Sequence, residues 1–250
     1  MTHHTPPVNR AVSGTIAPLR NVALFSELLD RVVGRRRHLP GMGTFHGPSG
    51  YGKTFSATYG AHLHRALYVE VGESWTKATF CRALLTELGV PPRGTIADMV
   101  ATVIAHLVDL ERPLIIDEAD KVVDRGYIET IREIHDRSGA AIVLIGEELL
   151  PNKLLRYERA HNRILDWVPA QPAGADDVAA LAGLYTPEIE VRPDLAEHLA
   201  RRSDGRVRRI VVNLERVREV AALEGLESVG LKEWGDRPLW TGQPPTRRVS

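Results

Sequence analysis

Apolar residues recur at three- and four-residue spacing from Asn21 onward, at Val22, Phe25, Leu28, Leu29, Val32 and Val33, which predicts a helix. A Leu-Pro-Gly-Met-Gly break follows, and the period then changes. Short β-type runs stand at 43–46, 66–71, 113–117, 140–146 and 163–168, with helical stretches between them at 53–65, 76–88, 95–110, 124–137 and 148–162. Strands alternating with helices predict an α/β fold with a five-stranded parallel sheet and helices on both faces. Near-continuous apolar runs such as Ile-Val-Leu-Ile point the same way, because a strand covered on both sides has no polar face. After 168–175 the strand pattern ends, and 176–184, 193–202 and 207–223 read as three helices of a small lid domain. The expected organisation is an arm at 1–20, a core at 21–170, a helical lid at 171–227 and a tail at 228–250. That tail is rich in Trp, Pro, Gly and Arg, and is expected to pack on a partner. There is no internal repeat.

Composition narrows the function classes without choosing among them. The formal net charge is zero, so bulk electrostatics favours neither nucleic acid nor membrane, and any DNA contact must come from a local basic patch. The single cysteine, Cys81, excludes an intramolecular disulfide and a cysteine-built metal site, and it fits a reducing cytoplasm. Apolar runs such as 140–145 fall far short of the roughly 18 residues that span a bilayer. The opening Met-Thr-His-His-Thr-Pro-Pro has no apolar signal core, and His3 and His4 read as part of the arm rather than a metal tract. The expectation is a cytoplasmic protein with no membrane partner.

The chemistry lies in two motifs. Residues 47–54, Gly47-Pro48-Ser49-Gly50-Tyr51-Gly52-Lys53-Thr54, fit the phosphate-binding pattern G-x-x-x-x-G-K-[ST] and sit between a strand and a helix, as that pattern requires. Glycines let the backbone curl so that N–H groups point at phosphate oxygens, with the helix N-terminus adding its positive end. Lys53 then reaches the β/γ-phosphates, and the Thr54 hydroxyl ligates Mg²⁺. Leu-Ile-Ile-Asp-Glu-Ala-Asp at 114–120 is an apolar strand ending in acids. Asp117 is expected to hold Mg²⁺ and Glu118 to polarise the water that attacks ATP. The next strand ends at Glu147, placed to sense the γ-phosphate; it either pairs with an arginine or caps the following helix.

With these motifs, a fourth strand and a helical lid, the chain resembles the AAA+ ATPases. Residues 158–168, Glu-Arg-Ala-His-Asn-Arg-Ile-Leu-Asp-Trp-Val, resemble more specifically the transposition ATPases of the phage Mu B, IstB and TnsC/TniB group. The resemblance covers roughly 21–225. It implies ATP-dependent oligomerisation on duplex DNA through sequence-nonspecific backbone contacts, delivery of target DNA to a transposase, and hydrolysis that drives disassembly. In AAA+ proteins a short helix before the fifth strand often ends in an arginine that enters the neighbouring subunit's site. Arg163 holds that place, with Arg159 second and Arg156 third. The Gly-x-x-Arg that opens the last lid helix implies that Arg208 points at the nucleotide, while Arg206 and Arg209 lie at the surface or an interface. Mu B carries an additional N-terminal DNA-binding region, whereas here the expected arm is short, so DNA contact falls to the ATPase itself.

Relatives that form filaments contact DNA through channel-facing loops. The counterparts here are Lys77 and Thr76 after the second strand, and Lys121 and Arg125 after the acidic motif, all suited to phosphates rather than bases. Trp75 reads as core or interface packing more than as a base-stacking ring. Two other functions stay open: a helicase-loader-like AAA+ ATPase whose partner is another ring, and a nucleotide switch without hydrolysis.

Overall fold

The computed structural model describes residues 19–242; residues 1–18 of the expected arm and 243–250 of the expected tail lie outside them. Helix α1 (Arg20–Val33) leads into β1 (Met42–His46), α2 (Lys53–Leu63), β2 (Leu67–Glu70), α3 (Lys77–Glu87), α4 (Ile96–Leu110) and β3 (Leu114–Asp117). Then come α5 (Asp120–Asp124), α6 (Ile128–Ser138), β4 (Ile142–Gly146), α7 (Leu150–Leu154), α8 (Glu158–His161) and β5 (Ile164–Pro169). The five strands are parallel, in the order β2-β3-β4-β1-β5. Burial follows that order. The central strands β3 and β4 are buried at every position, while edge strand β2 alternates and β5 is mostly half-buried.

One core, under α3, α4 and α6, includes Phe80, Ile116, Ile131 and Leu144; another, under α1 and α2, joins Phe25 to Phe45 edge to face at 5.3 Å. The helix starts follow local chemistry: Thr95 and Asp98 form a reciprocal capping box on α4, and Thr76 caps α3.

The lid comprises α9 (Ala175–Tyr185), β6 (Glu190–Val191), α10 (Pro193–Arg202), α11 (Val207–Glu224), β7 (Ser228–Val229) and α12 (Leu231–Trp234). Three differences from the sequence reading stand out. The helix expected over 148–162 is two short helices, because Pro151 starts α7 and the chain breaks before Tyr157, whose hydroxyl donates to the Val123 carbonyl at 3.1 Å. The helix expected over 124–137 begins at Ile128, after the separate α5. The described part of the expected tail packs on its own lid. There β7 pairs with β6, and Trp234 is buried with Leu195, Leu214 and Val217. A two-strand pairing this short leaves no periodicity to read in the sequence.

Candidate nucleotide site

The loop 47–54 joins the end of β1 to the start of α2, at the carboxyl edge of the sheet where the strand order reverses around β1. Gly52 enters the helix with φ +79°, a left-handed conformation that a side chain would strain. Lys53 Nζ donates to the carbonyls of Gly47 at 2.6 Å and Pro48 at 3.0 Å. Burial lowers its pKa, and Asp117, Glu118, Glu147 and Asp120 oppose that shift. The ammonium is thus held across the loop by weak neutral acceptors, which a phosphate outcompetes.

Asp117 lies almost fully buried at the end of β3. Its Oδ2 accepts from Thr54 Oγ1 at 2.8 Å and from the Tyr68 hydroxyl at 2.9 Å, and its Oδ1 accepts from the Glu118 N–H at 2.8 Å. Burial, and then the charge of Asp117, push the Tyr68 phenol up, so it remains a donor. Tyr68 is a site residue that sequence reasoning missed. It pairs with Ile115, two residues from Asp117, so the period of the strands puts both side chains on one face, and only the β2–β3 register reveals it. Thr54 and Asp117 suit a divalent cation in type and placement. Among the described residues no cluster of three or more carboxylate, His or Cys side chains could hold a metal alone, so phosphate oxygens and water must complete any such shell.

Glu118 follows with φ +56°, a strained conformation for a non-glycine residue, and pairs with Lys121 Nζ at 3.2 Å. Glu147 is exposed and lines the cleft, with neither an arginine partner nor a side-chain cap on α7. Its backbone carries the interaction instead: the Glu147 N–H donates to Asp120 Oδ2 at 2.6 Å. Asp120, also buried, meets Lys153 Nζ at 3.1 Å, and Lys153 reaches Asp124 at 2.6 Å. A side chain at Gly146 would overlap the Asp120 carboxylate, so the glycine is required for this approach. Asp120 and Lys153 therefore tie the acidic end of β3 to β4 and to α7. The sequence showed the acid but not its target.

The lid closes the other side of the cleft, whose volume is about 440 Å³. Leu19, Phe55, Leu181, Tyr185 and Val211 form an apolar wall suited to a flat heteroaromatic base. Arg208 lines the cleft, exposed and with no side-chain partner among the described residues. Arg206, expected at the surface or an interface, meets the phosphate loop of its own chain. Its guanidinium donates to the Ser49 carbonyl at 2.6 Å, and the neighbouring Val207 N–H donates to the Gly50 carbonyl at 2.8 Å, latching α11 onto the phosphate loop. Arg209 pairs with Asp204 at 2.6 Å. Asn21, buried, donates to the carbonyls of Tyr51 and Gln171 and accepts from the Gln171 N–H, fastening α1, the loop and the start of the lid together.

The remaining cations divide by whether their charge is used. Arg163, the first choice for a trans-acting arginine, is held by Asp136 through two bonds of 2.7 and 3.2 Å at the start of β5, the sheet edge opposite its own P-loop. Arg156 and Arg159 are exposed, and their side chains have no partner among the described residues. Two of the expected DNA contacts already have partners inside the chain. Lys121 donates to the Val71 carbonyl at 3.1 Å and pairs with Glu118 and Glu73, while Arg125 holds the carbonyls of Gly72, Glu73 and Trp75. Both cations are spent pinning the 72–76 loop. The Thr76 hydroxyl accepts from the Thr79 N–H as a helix cap, Trp75 packs on the main core, and the Lys77 side chain stays exposed with no partner among the described residues.

Comparison with known proteins agrees with this architecture. Residues 36–154, which hold both nucleotide motifs, match the model of the AAA domain. No curated protein matches the chain in sequence. Among solved structures, Cdc6p from Pyrobaculum aerophilum is 18% identical with a TM-score of 0.64, over 90% of this chain and 67% of that one. The Aeropyrum pernix ORC2 protein, solved as ADPNP–ADP complexes, is 17% identical with a TM-score of 0.65, over 88% of this chain and 68% of that one. The Aeropyrum pernix ORC1 protein, solved in complex with DNA, is 19% identical with a TM-score of 0.60, over 85% of this chain and 62% of that one. At such identities the likeness concerns the fold. The phosphate loop after β1 and the acidic end of β3 lie within the residues that match the AAA domain, and the five-stranded parallel sheet is followed by a small helical lid.

Proposed function

We propose that the protein is an ATP hydrolase that binds duplex DNA when loaded with ATP, assembles with further copies of itself, and disassembles on hydrolysis. The observation that carries this reading is the joined constellation of Lys53, Thr54, Asp117 and Glu118 at one cleft. Lys53 leaves the loop carbonyls for the β/γ-phosphates, Arg208 approaches from the lid, and Glu118 orients and polarises the attacking water. Thr54 and Asp117 would hold Mg²⁺, which supplies charge neutralisation at the phosphates. Arg159 or Arg156 completes the site in trans from a neighbouring copy, which makes turnover depend on assembly. A nucleotide switch without hydrolysis is the weaker alternative, because Glu118 is present and placed in the cleft.

Two readings of the downstream role remain, and each has its support. Delivery of target DNA to a transposase rests on the resemblance of 158–168. Loading of a helicase-like ring is supported by the likeness to Cdc6p and ORC proteins, one of them solved with DNA. ATPase assays with and without duplex DNA across a salt series test the shared core: DNA-stimulated, salt-sensitive turnover is expected. ATP binding with no turnover at any protein or DNA concentration would overturn it. Electron microscopy with duplex DNA and a slowly hydrolysed analogue then reads the assembly, and capture of a helicase without duplex affinity would favour the loader.

A further inference from the structure

A chain of zero net charge that binds DNA needs a local excess of unpaired cations, and Lys121 and Arg125 do not provide one. The α1–β1 connection does: residues 34–40 read Gly-Arg-Arg-Arg-His-Leu-Pro. Arg36, Arg37 and His38 are exposed, and none of their side chains has an ion-pair or hydrogen-bond partner among the described residues. Arg35 holds the loop in place, donating to the carbonyls of Val32 and Gly139, both at 2.8 Å. Its own charge meets no carboxylate, and burial lowers its pKa.

Clefts of about 550 and 430 Å³ flank the loop, and Arg37 lines both. Arg112 lines the first, donating only to the carbonyls of Arg65 and Ala66, so its charge too is unpaired. Arg163 lines the second, where Asp136 is already shared between Arg163 and Arg132. Glu111 is the carboxylate at the first cleft, too little to balance three arginines there.

We propose that the 34–40 loop and its flanking clefts form a docking surface for the phosphate backbone of duplex DNA, at the sheet edge opposite the ATP cleft. This rests on the reading that the protein binds duplex DNA. Adjacent guanidinium groups repel one another when unpaired, and phosphodiester oxygens relieve this through forked, charge-assisted hydrogen bonds. Val33, Leu39 and Val108 are the exposed apolar side chains on this rim, too little for the desolvated centre of a protein–protein interface. Because the surface lies away from the ATP cleft, DNA and nucleotide do not compete for it.

The test uses the full chain with both exposed arginines replaced, R36A/R37A, beside R36K/R37K and the wild type. Binding of a fluorescent duplex is followed by anisotropy across a salt series with a slowly hydrolysed ATP analogue present. For R36A/R37A, affinity is expected to fall by about tenfold or more, and the slope of log affinity against log salt by about 2. The lysine variant keeps most of that slope, and ATP affinity and light-scattering mass are unchanged in both. Wild-type affinity and slope in R36A/R37A overturn the inference and leave DNA binding intact. A wild type without duplex affinity overturns the underlying reading as well. Loss of self-association in R36A/R37A without DNA assigns the loop to a second copy and overturns the inference.

Discussion

The two edges of the sheet treat charge in opposite ways. At the carboxyl edge the buried acids and the lysine beside them have assigned internal partners: Asp117 takes Thr54 and Tyr68, Asp120 takes Glu147 N–H and Lys153, and Lys121 takes Val71, Glu118 and Glu73. At the opposite edge Arg36 and Arg37 face solvent unpaired, as do Arg156 and Arg159 beyond α7. Paired charges buried at a cleft fix geometry before a ligand arrives, which is what electrostatic preorganisation requires. Unpaired guanidiniums on a surface fix nothing inside the chain and stay available to phosphate or carboxylate groups from outside it.

The largest expected effect tests the paired edge. Lys53→Ala leaves the fold intact and lowers ATP turnover by about 10³-fold or more, because no other cation reaches the phosphates from the loop. Normal turnover in a steady-state assay would remove the phosphate role from this cleft. On the unpaired side, Arg159→Ala or Arg156→Ala is expected to cut turnover by about 10³-fold at unchanged ATP affinity, as loss of a trans-acting arginine does. Arg163→Ala, which breaks a half-exposed pair with Asp136, costs about 1 kcal/mol or less of stability and leaves turnover near wild type. The reverse pattern in the three variants returns the trans role to Arg163.

A smaller effect separates positioning from chemistry. Asp120→Ala strands the Glu147 N–H and leaves Lys153 with Asp124 alone, and about 2 kcal/mol of stability is expected to disappear in urea unfolding. A loss below about 1 kcal/mol would show that the β3–β4 tie is dispensable. The smallest effect is a pH dependence. His135 is buried with Nδ1 2.8 Å from the Ala140 carbonyl, and burial lowers its pKa below the ordinary 6.5. The unfolded chain therefore binds a proton that the folded one refuses. Stability is full above about pH 6.5 and falls as the pH drops through that value. Replacement by Gln should flatten the thermal-melting profile between about pH 7 and 5; an equally steep profile would place the pH sensitivity elsewhere, with His46, also lowered by burial, the next group to test.

Much of this was legible before the structure. A lysine after a glycine loop, an apolar strand ending in acids and a basic helix opening the last lid segment are local patterns, and each landed at the cleft. The misses share one physical cause: they depend on register and through-space contact. Tyr68 reaches Asp117 only because β2 pairs with β3 in one register. Arg206, the residue before α11, reaches the Ser49 carbonyl, while Arg208 in its first turn lines the cleft.

Sequence alone therefore determined the alternation of strands and helices, the phosphate loop and the acids beside it, because hydrophobic period and motif spacing are properties of neighbouring residues. Tertiary structure decided which charges are already spent. Lys121 and Arg125 turned inward to loop carbonyls, Arg163 to Asp136, and residues 229–239 onto their own lid. A charge has no fixed role until its partner is known, and partners far apart in sequence meet only in the fold.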